Sequence, residues 1–216
     1  MQISPAGSMG GYRISPILVY PLRYTPSERK LELYTTVELK LTYEEGAVSV
    51  AQRTARQAAI VAEKVRRMVA NPEDVGRWAP PLADPKQGTT EYAIVTTDAY
   101  VSLLQPFADW KTKKGVPAEI KTISWINANY GGHHDTQENI REFLKDYYLN
   151  HGLVWVLLAG DISVVPHRIA RVVTGQGTAY IPCDLYFSDL DGDWDYNGDH
   201  LSLIHISEPT RQAESS

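Results

Sequence analysis

The sequence predicts an α/β fold built on a parallel, doubly wound sheet, placed in the second half of this 216-residue chain. Two observations carry that prediction. From Glu91 onward, short apolar runs alternate with amphipathic stretches in the order β-α-β-α-β, which a parallel sheet with covering helices requires. The last of these runs, Leu153-Val-Trp-Val-Leu-Leu-Ala159, is continuously apolar, as expected of a strand buried on both faces. A third observation sets this part off from what precedes it. Asn71 to Thr90 holds Pro72, Pro80, Pro81 and Pro85 and has no apolar period, the composition of a linker or domain boundary.

Ahead of that boundary the residues read first as β. Leu31, Leu33, Thr35, Val37, Leu39, Leu41 and Tyr43 alternate with Glu32, Tyr34, Thr36, Glu38, Lys40, Thr42 and Glu44. Period two with one apolar side predicts a strand with one buried and one wet face. Tyr12 to Tyr24 is a second extended run whose Pro16 and Pro21 confine it to a sheet edge or break it. Thr25-Pro-Ser-Glu-Arg-Lys30 supplies turn chemistry between the two. Residues 1–50 therefore read as an antiparallel hairpin from a larger all-β module, since two strands alone are marginal in water. Residues 51–90 read as a helix, about Thr54 to Ala70, followed by the linker; Ala58, Val61, Val65, Met68 and Val69 recur at helical spacing.

In residues 91–200, Glu91 to Thr97 is the first strand, and Asp98 is placed to cap the helix that follows. Leu103, Leu104, Phe107 and Trp110 form that helix's apolar side, Pro106 should kink it, and Gly115 should end it. Val116 to Ile123 is the second strand. After a Gly/His loop, Asp135 with Glu138 three residues on has the form of a capping box. Ile140, Phe143, Leu144 and Tyr147 make the buried stripe of the next helix, which Gly152 should stop.

Charge and composition narrow the function classes. A net charge of -5 and a pI near 5.7 argue against a nucleic-acid footprint. No apolar stretch approaches the roughly 18 residues a membrane span needs. Met1 to Met9 has neither the basic nor the apolar region of a signal peptide. The single cysteine, Cys183, excludes an internal disulfide framework.

Asp184-Leu-Tyr-Phe-Ser-Asp-Leu-Asp-Gly-Asp-Trp-Asp-Tyr-Asn-Gly-Asp199 is the most unusual segment. Acidic residues at alternate positions repel one another unless a cation or solvent relieves them. Asp193, Asp195, Asn197, Gly198 and Asp199 match D-x-D-x-N-G-D, the opening of an EF-hand-type calcium loop, with Asp189 and Asp191 as alternative ligands. Position 12, which should be a bidentate Glu, is Ile204. A solvated acidic turn is the competing reading.

Four other features are weaker. Adjacent His133 and His134 lack the three or four spaced ligands of a zinc site, and Asp135 is better explained as a cap. Cys183 with His167 has the residue types of a nucleophile and base, but a cysteine in Ile-Pro-Cys-Asp-Leu-Tyr is more often a small buried hydrophobe. Asp161 follows the third strand, at the end where open α/β sheets place functional groups. Thr96-Thr-Asp98 has no glycine to admit a pyrophosphate, which disfavours a dinucleotide site.

Several segments come in the order and spacing of one family. They are Glu91 to Thr97, Gln105-Pro-Phe-Ala-Asp-Trp-Lys111 with Lys114-Gly-Val116, Val156-Leu-Leu-Ala-Gly-Asp161, Val165-Pro-His-Arg168 and Asp184 to Asp193. Over about Glu91 to Asp199 the chain resembles the gingipain-type cysteine peptidases, and Tyr12 to Glu45 resembles the end of the β-rich pro-region of that family. The resemblance implies a caspase-like fold and a secreted endopeptidase made as a zymogen, acting on protein or peptide substrates, with calcium supporting the fold. In that family a His-Gly motif and a later Cys carry the chemistry, both downstream of the Asp-Leu-Tyr segment. His151-Gly152 belongs to the earlier subdomain, so no catalytic residue carries over.

The expectation is therefore an inactive N-terminal piece: residues 1–50 from the pro-region, 51–90 helix and linker, 91–200 the first α/β subdomain, and 201–216 a tail resembling translated adapter sequence. The competing expectation is a non-catalytic, calcium-stabilised α/β module for binding or secretion.

Overall fold

The computed structural model describes residues 2–3, 7–40, 53–86, 88–174, 177–192, 194 and 202–204, which fall into two compact units, Met1–Asp84 and Pro85–Ser216. In the first unit, strands β1 (Gln2–Ile3), β2 (Gly7–Met9), β3 (Tyr12–Ile14), β4 (Ile17–Leu18), β5 (Leu22–Thr25) and β6 (Lys30–Leu33) form three antiparallel pairs, β1 with β4, β2 with β3 and β5 with β6. Gly10 and Gly11 both have positive φ (53° and 92°) and make the two-residue turn between β2 and β3. That turn lies against helix α1 (Ala55–Met68), so closely that a Cβ on Gly10 would run into Val61. Tyr12, Val65 and Val75 form the small core beneath it. The start of α1 is set by a capping box between Thr54 and Gln57; Met68, assigned above to its apolar face, stays exposed.

The long alternating strand is corrected here. β6 ends at Leu33, residues 34–40 form no strand, and 41–44 lie outside the described residues. The β5–β6 hairpin has the expected turn, Pro26 to Arg29 between the Thr25 and Lys30 partners. Its apolar face is open, however, with Leu31 at 64% and Leu33 at 63% exposure. Alternation buries a face only when a second layer covers it, and within the first unit none does so among the described residues.

The second unit opens with β7 (Tyr92–Thr96), followed by α2 (Val101–Lys113), β8 (Ala118–Thr122), α3 (Ile123–Asn129), α4 (Thr136–Asp146) and β9 (Trp155–Leu158). The sheet is parallel in the order β8-β7-β9. Side chains of β7 alternate between two covered faces. Tyr92 meets Phe107 of α2, whereas Ala93 and Val95 join Ile126 of α3 and Ile140, Phe143 and Leu144 of α4 in the main core. Helices on opposite faces follow from right-handed crossovers that run in opposite directions, from β7 out to β8 and then from β8 back past β7 to β9. This is the doubly wound α/β arrangement read from the sequence.

The strand buried on both faces is β7, whose Ala93 to Thr96 are fully enclosed. Leu153–Ala159, the run expected there from its continuous apolar character, does not hold that place. β9 instead pairs on one side only among the described residues, and Trp155 and Val156 are more than a third exposed.

Local corrections have similar causes. Asp98 does not cap α2; it enters a 3₁₀ turn, Asp98–Tyr100, and its carboxylate accepts from Ser124 Oγ at 2.6 Å. α2 runs through Pro106 without a break: the ring lies about one turn inside the helix, and the carbonyl four residues back, to which a proline cannot donate, belongs to exposed Ser102. Leu103 is 74% exposed and Trp110 half exposed, so α2 packs through Leu104, Phe107 and Ala108. α3, unforeseen within the stretch before the His loop, is capped by Thr122, whose hydroxyl accepts from Trp125 N. α4 begins as expected, with Asp135 accepting from Glu138 N at 2.9 Å. It ends in a wider π-type turn, Tyr147–His151, closed by Gly152 at φ 77°.

Tyr130, at the end of α3, donates its hydroxyl to Asp146 at 2.6 Å. Burial and that carboxylate push its phenol well above the ordinary value of 10.0. A phenol whose pKa is raised by folding contributes stability below its unfolded pKa and loses it as pH climbs toward the folded one. Thermal melts from about pH 9 to 11 should therefore fall more steeply for the native chain than for Tyr130→Phe; parallel curves would show no linkage.

Beyond β9, β10 (Arg168–Thr174) and β11 (Gly177–Cys183) form an antiparallel hairpin, with β12 (Ser202–Ile204) parallel to β10 on its other side. The three residues of β12 lie in the 201–216 segment.

Candidate functional site

Two clusters of polar side chains flank the parallel sheet. The first lies at the carboxyl ends of the strands. Thr96 is fully buried and donates its hydroxyl to the Ala159 carbonyl at 2.8 Å. Thr122 and Ser124 hydroxyls are 2.8 Å apart and lead to Asp98. The Ser124 and Thr122 hydrogen bonds hold the Asp98 carboxyl below its usual range. Gly160, at φ 145°, packs against Val164, and Asp161 turns back on its own loop, its Oδ1 accepting from Ser163 N (2.9 Å) and Oγ (2.6 Å). The Ser163 hydroxyl and amide hold the Asp161 carboxyl low as well. These carboxylates are engaged in loop structure.

The second cluster joins the start of α4 to the acidic segment. Arg168, at the start of β10, is 5% exposed and pairs with both oxygens of Asp135, at 2.8 and 2.9 Å. It also donates to the Tyr186 hydroxyl at 3.0 Å, and Glu138 stands 3.8 Å away. Burial raises the Tyr186 phenol, against the pull of the neighbouring arginines. Arg141, one turn along α4, donates from a single nitrogen to the carbonyls of Asp189 and Gly192, both at 2.7 Å. Trp194 packs edge-on against Tyr186 and donates to the same Asp189 carbonyl at 3.3 Å. A forked guanidinium on a carboxylate is among the stronger hydrogen-bonded pairs, and burial deepens it.

Asp193, Asp195, Asn197 and Asp199, the D-x-D-x-N-G-D register, lie outside the described residues. Asp189 and Asp191 fall inside. The Asp189 carboxylate lies against Gly192, where a Cβ would collide with it, and Asp191 is exposed. Among the described residues no three His, Cys, Asp or Glu side chains gather in a way that could hold a metal. His133 and His134 are exposed in their loop, with the His134 amide donating to Glu138. Cys183 is half-buried at the end of β11 beside the main core. Among the described residues no hydrogen bond joins it to His167, whose carbonyl accepts from Gln137. His151 stacks on Tyr147 at 4.1 Å, a packing role.

Reading the sequence missed both arginines. Arg168 stands in a segment already singled out, but its partners lie 33 residues before it and 18 after, beyond any periodic signal. Arg141 follows Ile140 on the buried side of α4, and a cation there was the available clue.

Comparison with known proteins agrees with this architecture. The description "Peptidase family C25" matches residues 85–207. Gingipain R1 of Porphyromonas gingivalis is 29% identical over 181 residues, covering 82% of this chain and 16% of that protein. Gingipain R2 of the same organism is 23% identical over 180 residues, 82% of this chain and 22% of the relative. Lys-gingipain, also from that organism, is 24% identical over 204 residues, 89% of this chain and 11% of the relative. The chain thus spans less than a quarter of the length of these relatives. No solved structure matches it.

Proposed function

The chain belongs to peptidase family C25, and from that premise we propose that it is part of a secreted cysteine endopeptidase made as a zymogen. The observation that carries this reading is the family match over 85–207, coincident with the parallel three-stranded sheet and its two helical layers. The whole enzyme would cleave peptide bonds by thiolate attack with a histidine as general base. In this reading, residues 1–50 come from the pro-region and 91–200 form the first α/β subdomain.

The 216 residues are inactive by themselves in this proposal. His151-Gly152 is the one His-Gly pair in the sequence, and its imidazole is stacked in a helix-terminal turn. Cys183, half-buried at a strand end, lacks a bonded base among the described residues. A thiol-activated assay with casein and short peptides should show no turnover above that of Cys183→Ala. Turnover that Cys183→Ala abolishes would place a complete site within this chain. For the parent, a longer chain carrying a downstream His-Gly and Cys should hydrolyse the same substrates, and an inactive parent would sink the enzymatic reading.

A calcium ion at Asp193, Asp195, Asn197 and Asp199 is proposed on the sequence pattern alone. Asp189 and Asp191 are proposed with it as the alternative ligands of the same acidic run. Calorimetric titration should show calcium binding weakened by Asp195→Asn; no heat up to millimolar calcium would remove the site from this chain.

A further inference from the structure

The acidic turn Asp189–Gly192 already has a cation beneath it. Main-chain carbonyls are the hard oxygen donors that calcium loops use. Here the carbonyls that open and close the turn both point at Arg141, and each accepts from its terminal nitrogen at 2.7 Å. Arg141 is 8% exposed and its guanidinium lies 5.1 Å from the Tyr186 ring centroid; that of Arg168 stands 4.4 Å from the same centroid. Arg141 cannot drift from this position, because its neighbours Ile140, Phe143 and Leu144 anchor α4 in the main core. Trp194, 8% exposed, closes the arrangement by its own bond to Asp189 O.

We infer that Arg141 is a positioning residue that acts as the built-in cation of this turn, holding Asp189–Gly192 in shape before and without any metal. Three features separate this from an ordinary surface contact. Both acceptors are backbone, so the bond fixes the path of the chain. The donor is charged and desolvated, which strengthens each bond relative to a neutral pair. Gly192 leaves room beside the turn, where the Asp189 carboxylate occupies the space a Cβ would take. The inference does not depend on the peptidase reading or on calcium at residues 193–199, because it concerns the stretch before them.

Hydrogen exchange of the full chain, followed by mass spectrometry on peptides within Asp184–Gly192, ahead of the calcium register at residues 193–199, tests it in EDTA and in calcium. Protection of these amides should be equal in both buffers for the native chain. Arg141→Met removes both bonds and should raise their exchange at least about tenfold, the effect of losing even one of them, while β7 peptides keep their protection. Trp194 emission, isolated by subtracting the spectrum of Trp194→Phe, should shift to the red in Arg141→Met. Loss of protection on chelation in the native chain would overturn the inference, as would an Arg141→Met turn that stays protected with unshifted Trp194 emission. If Arg141→Met fails to fold, the two buffers applied to the native chain decide the matter alone.

Discussion

Asp135→Ala is expected to lower the stability of the second unit by about 3–5 kcal/mol, read from urea denaturation, because it strands a buried arginine. Arg168 is 5% exposed and takes its forked pair from this one carboxylate. Glu138, at 3.8 Å, is too far to replace a hydrogen-bonded partner. The same substitution removes the α4 cap, worth about 1 kcal/mol on its own. Asp135→Asn separates the two contributions, since the amide oxygen can still accept from Glu138 N while the charge is gone. It should fall between the native chain and Asp135→Ala. A loss below about 1 kcal/mol for Asp135→Ala would mean that solvent already screens the pair.

Phe143→Ala should cost a similar amount, about 3–5 kcal/mol, through a cavity in the densest part of the core. Phe143 is fully buried, with ring centroids of Tyr147, Tyr130 and Trp125 at 4.4, 5.6 and 6.1 Å. Collapse of that aromatic cluster should also reduce the near-ultraviolet circular dichroism. Leu103→Ala is the matched control. At 74% exposure it should change stability by less than about 0.5 kcal/mol. A large effect at Leu103, or a small one at Phe143, would contradict the layering of α2 and α4 on the sheet.

That contrast between two apolar helix residues shows where the sequence could be read and where it could not. Ile140, Phe143, Leu144 and Tyr147 recur at helical spacing and are all buried. Leu103 and Trp110 recur just as regularly and are exposed, since spacing tells which residues share a face but not how far a covering layer reaches. The Asp135 cap was legible because its partner is three residues away. Asp98 offered the same residue type before a helix and failed, because Ser124, 26 residues on, binds its carboxylate in the folded chain. β9 was misjudged for a related reason: hydrophobicity marks a strand but not its place in the sheet order.

The candidate site was less legible than the fold. The acidic run announced a need for positive charge, and calcium was the cation its spacing suggested. Within that run the turn Asp189–Gly192 is met by Arg141, 48 residues earlier in the chain, while the register Asp193 to Asp199 lies outside the described residues. Residue types report charge demand, whereas only the fold reports which group supplies it.

The lengths of chain enclosed by the arginine contacts bear on how this unit can vary. Asp135 to Arg168 encloses 33 residues of sequence separation, and Arg141 to Asp189 encloses 48. Doubling a flexible closed segment costs only about 0.6 kcal/mol in chain entropy, well under the cost of losing a buried ion pair. The exposed stretch Asp161 to Ser163, between β9 and β10, lies inside both enclosures. Insertions there lengthen the path between the locked ends without touching either lock. Lengthening this loop should therefore cost the second unit little, while Asp135, Arg141 and Arg168 must keep their places in space.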